Sequence, residues 1–294
     1  MWEALGVHFD MQTLMTSAKL IVTAKPRRLY NVATSIVSIL KSDILRPAQA
    51  ARLFGKLDFL NTTLFGKVGR AGLACLKERQ FSHDPSGEWR LTQKLKHALR
   101  WVLELLLVCP PRTMPMGRPK ERPCLLYTDG SSELKRLNPH YVGAVLFMPE
   151  LSYPLFTHCA VPTEIVDAWL PSKQYIHLVE LFAGPMALDT WSTLLTNRYV
   201  IHFVDNSAAL GAIVKGYSPS SDLLHLAGDY WLRCAKHRIY CFVDRVESKS
   251  NISDEPSRSG VPNKDLVELG AVYTPPCLDH IAGHTARTRP SVWL

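Results

Sequence analysis

Apolar and polar positions change their period near the middle of the chain. In the first part, Trp2-Glu3-Ala4-Leu5-Gly6-Val7-His8-Phe9-Asp10 alternates roughly and a polar turn leads on to Leu20-Ile21-Val22, which predicts a hairpin. Beyond Pro26 the pattern is helical to about Leu40. Pro47 then stands at a helix start, where its missing N–H costs nothing. From there Ala50, Leu53, Leu57, Leu60, Leu64 and Val68 recur at spacings of three and four and predict one long helix. Gly55, Gly66, Gly69 and Gly72 weaken it locally. Leu91, Leu95, Ala98, Val102 and Leu105 predict another helix.

Residues 109–123 are rich in proline and basic side chains and predict an extended linker. Strand-like runs follow. Cys124–Thr128 is expected to end in a turn at Asp129-Gly130-Ser131-Ser132. Tyr141–Met148 and Tyr153–Ala160 read as strands, and 161–172 as an irregular loop. Gln174–Leu195 reads as a helix, with a kink expected at Gly184-Pro185. Tyr199–Val204 is a buried-type strand ending at Asp205. Helices over Ser207–Val214 and Ser221–Lys236, a fifth strand over Arg238–Val246 and a short helix near Asn251 complete the pattern. Three consecutive strands followed by alternation imply an α/β fold, a mixed five-stranded sheet with flanking helices. The expected divisions are a hairpin (1–24), a helical region (25–108), the linker (109–123), the α/β domain (124–260) and a weakly patterned tail (261–294).

The 294 residues, 47% hydrophobic and 20% charged, exclude a chain disordered throughout. Apolar runs such as Leu103–Val108 fall short of the roughly 20 residues a membrane span needs. No basic segment precedes an apolar stretch at the N-terminus, which argues against a signal peptide. Seven scattered cysteines without a CxxC pair suggest reduced thiols and an intracellular protein of cytoplasm or nucleus. Charge is uneven: residues 1–123 hold 20 basic and 9 acidic side chains, and the remainder 14 and 17. A basic first part suits a polyanion such as nucleic acid.

Four carboxylates stand at telling places: Asp129 and Asp205 at strand ends, Glu180 inside an apolar helix, and Asp254 in the first turn of the last helix. Strand ends and helix starts of such sheets converge on one edge. Gathered there, four carboxylates would repel one another unless hard divalent cations neutralise them, Mg²⁺ or Mn²⁺ above all. Two such ions would suit phosphodiester hydrolysis. Taken singly, Asp129 and Asp205 also fit turns, and Asp254 fits a cap with Asn251. Glu180 is the hardest to explain structurally, because a lone carboxylate among Leu178, Val179, Leu181 and Phe182 is costly to bury.

These segments resemble type 1 ribonuclease H. Leu126-Tyr127-Thr128-Asp129-Gly130-Ser131 looks like its first strand, and Val179-Glu180-Leu181-Phe182-Ala183 like its glutamate helix. His202-Phe203-Val204-Asp205-Asn206-Ser207 and Ser250-Asn251-Ile252-Ser253-Asp254-Glu255-Pro256-Ser257-Arg258 look like its later aspartate motifs. The resemblance implies a ribonuclease H-like fold and metal-dependent cutting of the RNA strand of RNA–DNA hybrids. Asp129, Glu180, Asp205 and Asp254 would be the catalytic metal ligands for two ions. Ser131, Asn206, Lys249, Asn251 and Arg258 would be substrate-binding residues.

In the first part, Phe54-Gly55-Lys56-Leu57-Asp58-Phe59 with Gly69-Arg70 resembles the thumb and connection of a retroelement reverse transcriptase. Residues 3–10 resemble its primer-grip hairpin. The Asp-Glu-Pro-Ser-Arg ending points to the tyrosine-recombinase (DIRS-like) group. A Tyr-x-Asp-Asp-type polymerase motif is missing, so a separate or upstream polymerase region is expected as partner. Lys249 stands where the family often has a histidine, Arg245-Val246-Glu247 replaces its usual lead-in, and Gly184-Pro185 interrupts the helix just after Glu180. These departures keep an inert nucleic-acid-binding remnant as the alternative reading, with an integrase- or transposase-like strand transferase third.

Three weaker signals remain. Cys277, His280 and His284 have ligand-like spacing but no fourth zinc ligand. Trp101, Trp169, Trp191 and Trp231 read as core or surface anchors, with base stacking open to Trp169. Arg27, Arg28, Arg112, Arg118, Lys120 and Arg122 are candidate phosphate contacts.

Overall fold

The computed structural model describes residues 2–4, 6–108, 111–117, 121–133, 139–172 and 174–278, and the chain divides between residues 119 and 120 into two units. In the first unit the N-terminal alternation is two strands instead of one. β1 (Trp2–Ala4) and β2 (Val7–Asp10) pair antiparallel around Gly6, whose φ of +79° is left-handed backbone that glycine takes without strain. A short helix α1 (Gln12–Ser17) leads to β3 (Lys19–Ala24), antiparallel to β2.

Helices α2 (Pro26–Ser42) and α3 (Pro47–Asn61) each begin on a proline. The long helix expected to run through Val68 stops at Asn61. A turn, a 3₁₀ segment (Val68–Leu73) and α4 (Ala74–Gln80) follow. Gly69 packs where any Cβ would overlap the Asn61 side chain, so the chain folds back on the helix end. Leu64 and Val68 are buried as their spacing required, but by that turn and not by a continuing helix. Helix α5 (Gln93–Val108) closes a core of Val32, Ile36, Leu53, Leu57, Leu60, Leu76, Leu99 and Val102. The proline-rich segment is not linker throughout: β4 (Arg112–Pro115) pairs antiparallel with β3. Proline is tolerated there because β4 is an edge strand, with the sheet order β1-β2-β3-β4.

The second unit holds the mixed α/β sheet with flanking helices. β5 (Cys124–Ser132), β6 (His140–Phe147) and β7 (Leu155–Ala160) are antiparallel neighbours. The turn expected at 129–132 is strand, because pairing with β6 satisfies its backbone: Asp129 faces Gly143, and Ser131 faces Tyr141. The loop expected at 161–172 contains α6 (Thr163–Ala168), with Ile165 buried beneath it. Then come α7 (Ile176–Thr190) and α8 (Ser192–Leu195), and β8 (Tyr199–Val204) beside β5 and parallel to it. α9 (Ser207–Lys215), α10 (Ser221–His237) and β9 (Tyr240–Arg245), parallel to β8, follow.

Pro185 lies inside α7 without ending it. The helix is buried on every face from Leu178 to Asp189, and packing holds it together where the proline removes a hydrogen bond. Gly184 makes room for the Tyr230 ring of α10, 3.1 Å from where a Cβ would sit. The tail is not featureless. α11 (Asp254–Ser259) and α12 (Lys264–Glu268) precede β10 (Val272–Tyr273), which adds a sixth strand parallel to β7. The sheet order is β10-β7-β6-β5-β8-β9. Among the described residues no helix is long and apolar enough to cross a membrane.

Candidate active site

The central strand β5 carries Asp129, buried at 3% exposure. Its neighbour Gly130 lies against α7: a Cβ there would be 2.7 Å from Glu180 N. Only glycine permits that approach, and it sets the glutamate beside the strand. Asp205 follows the last residue of β8, the parallel neighbour of β5. Asn206 then caps α9, its Oδ1 accepting from Ala208 and Ala209 N at 3.0 and 3.1 Å. One carboxylate oxygen from each of Asp129, Glu180 and Asp205 lies within 4.8 Å of the others.

Electrostatics mark this cluster as short of positive charge. Burial pushes the Glu180 carboxyl up to about 10, with the charges of Asp129 and Asp205 adding to it and the Gly130 N–H opposing. Burial likewise raises Asp129 to about 7; a hydrogen bond from Ser257 opposes, and the charges of Asp205 and Asp254 add. Glu180 Oε2 and Asp205 Oδ1 are buried without a hydrogen-bond partner. Buried acceptors in that state are expensive. Three hard oxygens within 4.8 Å of one another fit a divalent cation such as Mg²⁺ or Mn²⁺.

Asp254 stands at the start of α11, outside that group of three. Arg258 Nε and Nη2 grip both of its oxygens at 2.8–3.0 Å. Arg258 is therefore engaged within its own helix. Ser131 is buried, its Oγ donating to Ser257 O at 2.7 Å. Asn251 is buried too: Nδ2 donates to Thr128 O at 3.1 Å, and Oδ1 accepts from Ser253. Both side chains stitch the α11 segment to β5, which leaves little of either for a substrate. Lys249 is exposed on a 3₁₀ turn, Ser248–Ser250.

Of the weaker signals, Trp169 is buried against Tyr175, and Trp191 and Trp231 are core residues. Trp101 packs on the first unit's core. Arg27, Arg28, Arg112 and Arg122 are exposed, whereas Arg118 and Lys120 lie outside the described residues. So do His280 and His284; Cys277 N donates to Thr190 Oγ1 at 3.0 Å.

Sequence reading missed two features. Ser257 hydrogen-bonds Asp129 directly. Beneath the site, His202 Nε2 meets Thr128 Oγ1 at 2.8 Å, and its Nδ1 meets the Tyr230 hydroxyl at 3.0 Å. Burial drives His202 down to about 3, so it is a neutral strut for the strand that carries Asp129. The alternation in β8 held that signal, since it puts His202 on the buried side with Val200 and Val204.

A mixed α/β unit with a three-carboxylate cluster, two of its members buried and one half-buried, beside its central strands is the class that fold and site define. Neither a family model nor a curated protein matches the chain. Among solved structures, it is similar to the N-terminal ribonuclease H domain of a Mycobacterium tuberculosis protein, at 15% identity and a TM-score of 0.33, covering 50% of this chain and 95% of that one. A second is ribonuclease H1 of the halophilic archaeon Halobacterium salinarum, at 15% identity and a TM-score of 0.33, covering 48% and 100%. A third is the prototype foamy virus protease-reverse transcriptase, at 12% identity and a TM-score of 0.30, covering 65% and 29%.

Proposed function

We propose that the second unit is a metal-dependent endonuclease that cuts the RNA strand of RNA–DNA hybrids, as the ribonuclease H portion of a retroelement reverse transcriptase of the DIRS-like group. The observation that carries it is the convergence of Asp129, Glu180 and Asp205 with two buried oxygens left unpartnered. Those three residues would hold the cations, with Asp254 completing the set once Arg258 releases it. When bound, two divalent ions acidify water and stabilise the departing oxygen of a phosphodiester.

The chain's own residues do the rest. Gly130 and Ser257 fix the carboxylates, and Asn251 fastens the Asp254 segment to β5. The buried His202–Tyr230 pair keeps the strand rigid. The basic first unit, with Arg27 and Arg28 exposed, would grip the phosphate backbone. The hybrid preference comes from the sequence resemblance, and such enzymes read the 2′-OH groups of the RNA strand.

Labelled RNA–DNA hybrid incubated with the purified chain and Mg²⁺ or Mn²⁺ tests the reading. Cutting that EDTA and Asp129→Asn both abolish is the expected result. Salt-sensitive binding without cutting in either metal would instead favour an inert nucleic-acid-binding remnant. That second reading draws on Lys249 and on the Arg258 grip over Asp254.

A further inference from the structure

Helix α11 is held to the sheet by close backbone packing. Gly143 of β6 lies beneath it: a Cβ at that position would sit 2.5 Å from Ser257 N and 2.9 Å from Ser257 Cα. Ser257 is fully buried at 0% exposure. Its carbonyl accepts from Ser131 Oγ at 2.7 Å. Its hydroxyl stands between two acceptors, Asp129 Oδ2 and the Asp254 carbonyl, the latter at 2.7 Å.

A hydroxyl has one hydrogen and can serve only one of these at a time. A hydrogen bond to an ionised carboxylate is roughly twice as strong as one to a neutral acceptor. With Asp129 ionised, the hydrogen therefore points to its Oδ2. That bond restricts the rotation of the carboxylate that Asp129 brings to the acidic cluster. The backbone that carries Ser257 cannot shift toward solvent without losing the Ser131 bond and the fit against Gly143.

We infer that Ser257 is the positioning residue for Asp129, so that the divalent-cation affinity of the cluster depends on the docking of α11. The inference rests on the metal-site reading above. It assigns Ser257 a role apart from merely filling space, because its hydroxyl touches one metal-ligand candidate and its backbone neighbour Arg258 holds another.

Calorimetric titration of the full-length chain with Mn²⁺, without nucleic acid, tests it. Wild type should bind, and Asp129→Asn should lose most of the binding. Ser257→Ala should weaken Mn²⁺ affinity by roughly 10–100-fold, the scale for groups that orient metal ligands. Asn263→Ala is the control: it strips the α12 cap, where Asn263 Oδ1 accepts from Leu266 N at 2.8 Å, without contact to Asp129. It should lower the melting temperature at least as much as Ser257→Ala while leaving Mn²⁺ affinity unchanged. On cleavage, Ser257→Ala should lower kcat and leave KM for the hybrid within about twofold.

Should Ser257→Ala fail to fold, Ser257→Cys, a weaker donor of similar size, carries the same expectation. Unchanged Mn²⁺ affinity in a folded Ser257 variant overturns the inference, as does an equal loss in Asn263→Ala. A wild type that binds Mn²⁺ but cuts no hybrid overturns the nuclease reading alone. A wild type that binds no Mn²⁺ overturns the metal-site reading and the inference with it.

Discussion

Two acids on one buried helix meet opposite fates. Asp189, near the end of α7, accepts from Arg233 Nε at 2.7 Å, and the same guanidinium holds Asp229 at 2.7 Å. All three side chains are nearly sealed from water, at 5%, 2% and 6% exposure. Burial works against the Arg233 charge, but the two carboxylates outweigh it and keep its pKa above the ordinary value. Glu180, earlier on the same helix, meets two further acids, with its Oε2 left unpartnered. The first cluster carries its cation in the sequence. The second buries Asp129 and Glu180, leaves Asp205 half-buried, and has no ion pair to a base among the described residues. What sets the candidate metal cluster apart from the closed one is therefore that its three acids close on one another and not on a guanidinium.

That contrast can be broken most directly on activity. Asp205→Asn should lower hybrid cleavage on the order of 10⁴-fold, the scale for one member of a group that acts as a unit. Hybrid binding in a gel-shift assay should survive. Near-normal turnover would move the chemistry elsewhere.

The largest stability effect belongs to the closed cluster. Arg233→Met leaves two buried carboxylates uncompensated and should cost about 3–5 kcal/mol in urea unfolding. A loss under about 1 kcal/mol would mean that water reaches the pair.

The open cluster should respond with the opposite sign. Glu180→Gln replaces a carboxyl that the metal-free fold buries only by protonating it, so the metal-free chain should gain about 1 kcal/mol, or roughly 2–4 °C in melting temperature. The pH dependence follows from the raised pKa values. In the fold Asp129 titrates near 7, above its unfolded value of 3.8. The folded state thus binds the proton more tightly. Its stability contribution is complete below pH about 4 and is lost as pH climbs through 7. Mn²⁺ should accordingly raise the melting temperature more at pH 8 than at pH 5. An equal rise at both would sink the account.

The smallest effect concerns Arg258. Its grip on Asp254 has the donors and acceptors of the Arg233 cluster, but its side chains are 55% and 37% exposed. Arg258→Gln should change stability by less than about 1 kcal/mol, because solvent screens the pair. A larger loss by thermal melting would show α11 depending on this bridge.

Much of the site was legible because its signals are local. Glu180 stands out among apolar neighbours, and Asp205 follows a strand whose alternation is plain. Ser257 was invisible by contrast. A serine in a first helical turn is ordinary, and its importance arises only when α11 docks over Gly143, more than a hundred residues earlier. The strand through Asp129-Gly130-Ser131-Ser132 was hidden for the same reason, since turn-forming residues became strand only through pairing with β6. In the first unit, spacing found the buried positions Leu64 and Val68 but mistook a folded-back turn for more helix. The two-residue β10 is too short to leave any periodic trace.

The pairing of β4 with β3 also decides which cut through the proline-rich segment keeps the first sheet whole. A break at the first prolines would strip the first sheet of its outer strand. β3 would then present a bare row of amides and carbonyls, an open template for a strand from another molecule. A break placed after Gly117 keeps that edge covered. The choice between them, a few residues apart, decides whether the first sheet keeps its outer strand or offers a bare edge to other copies.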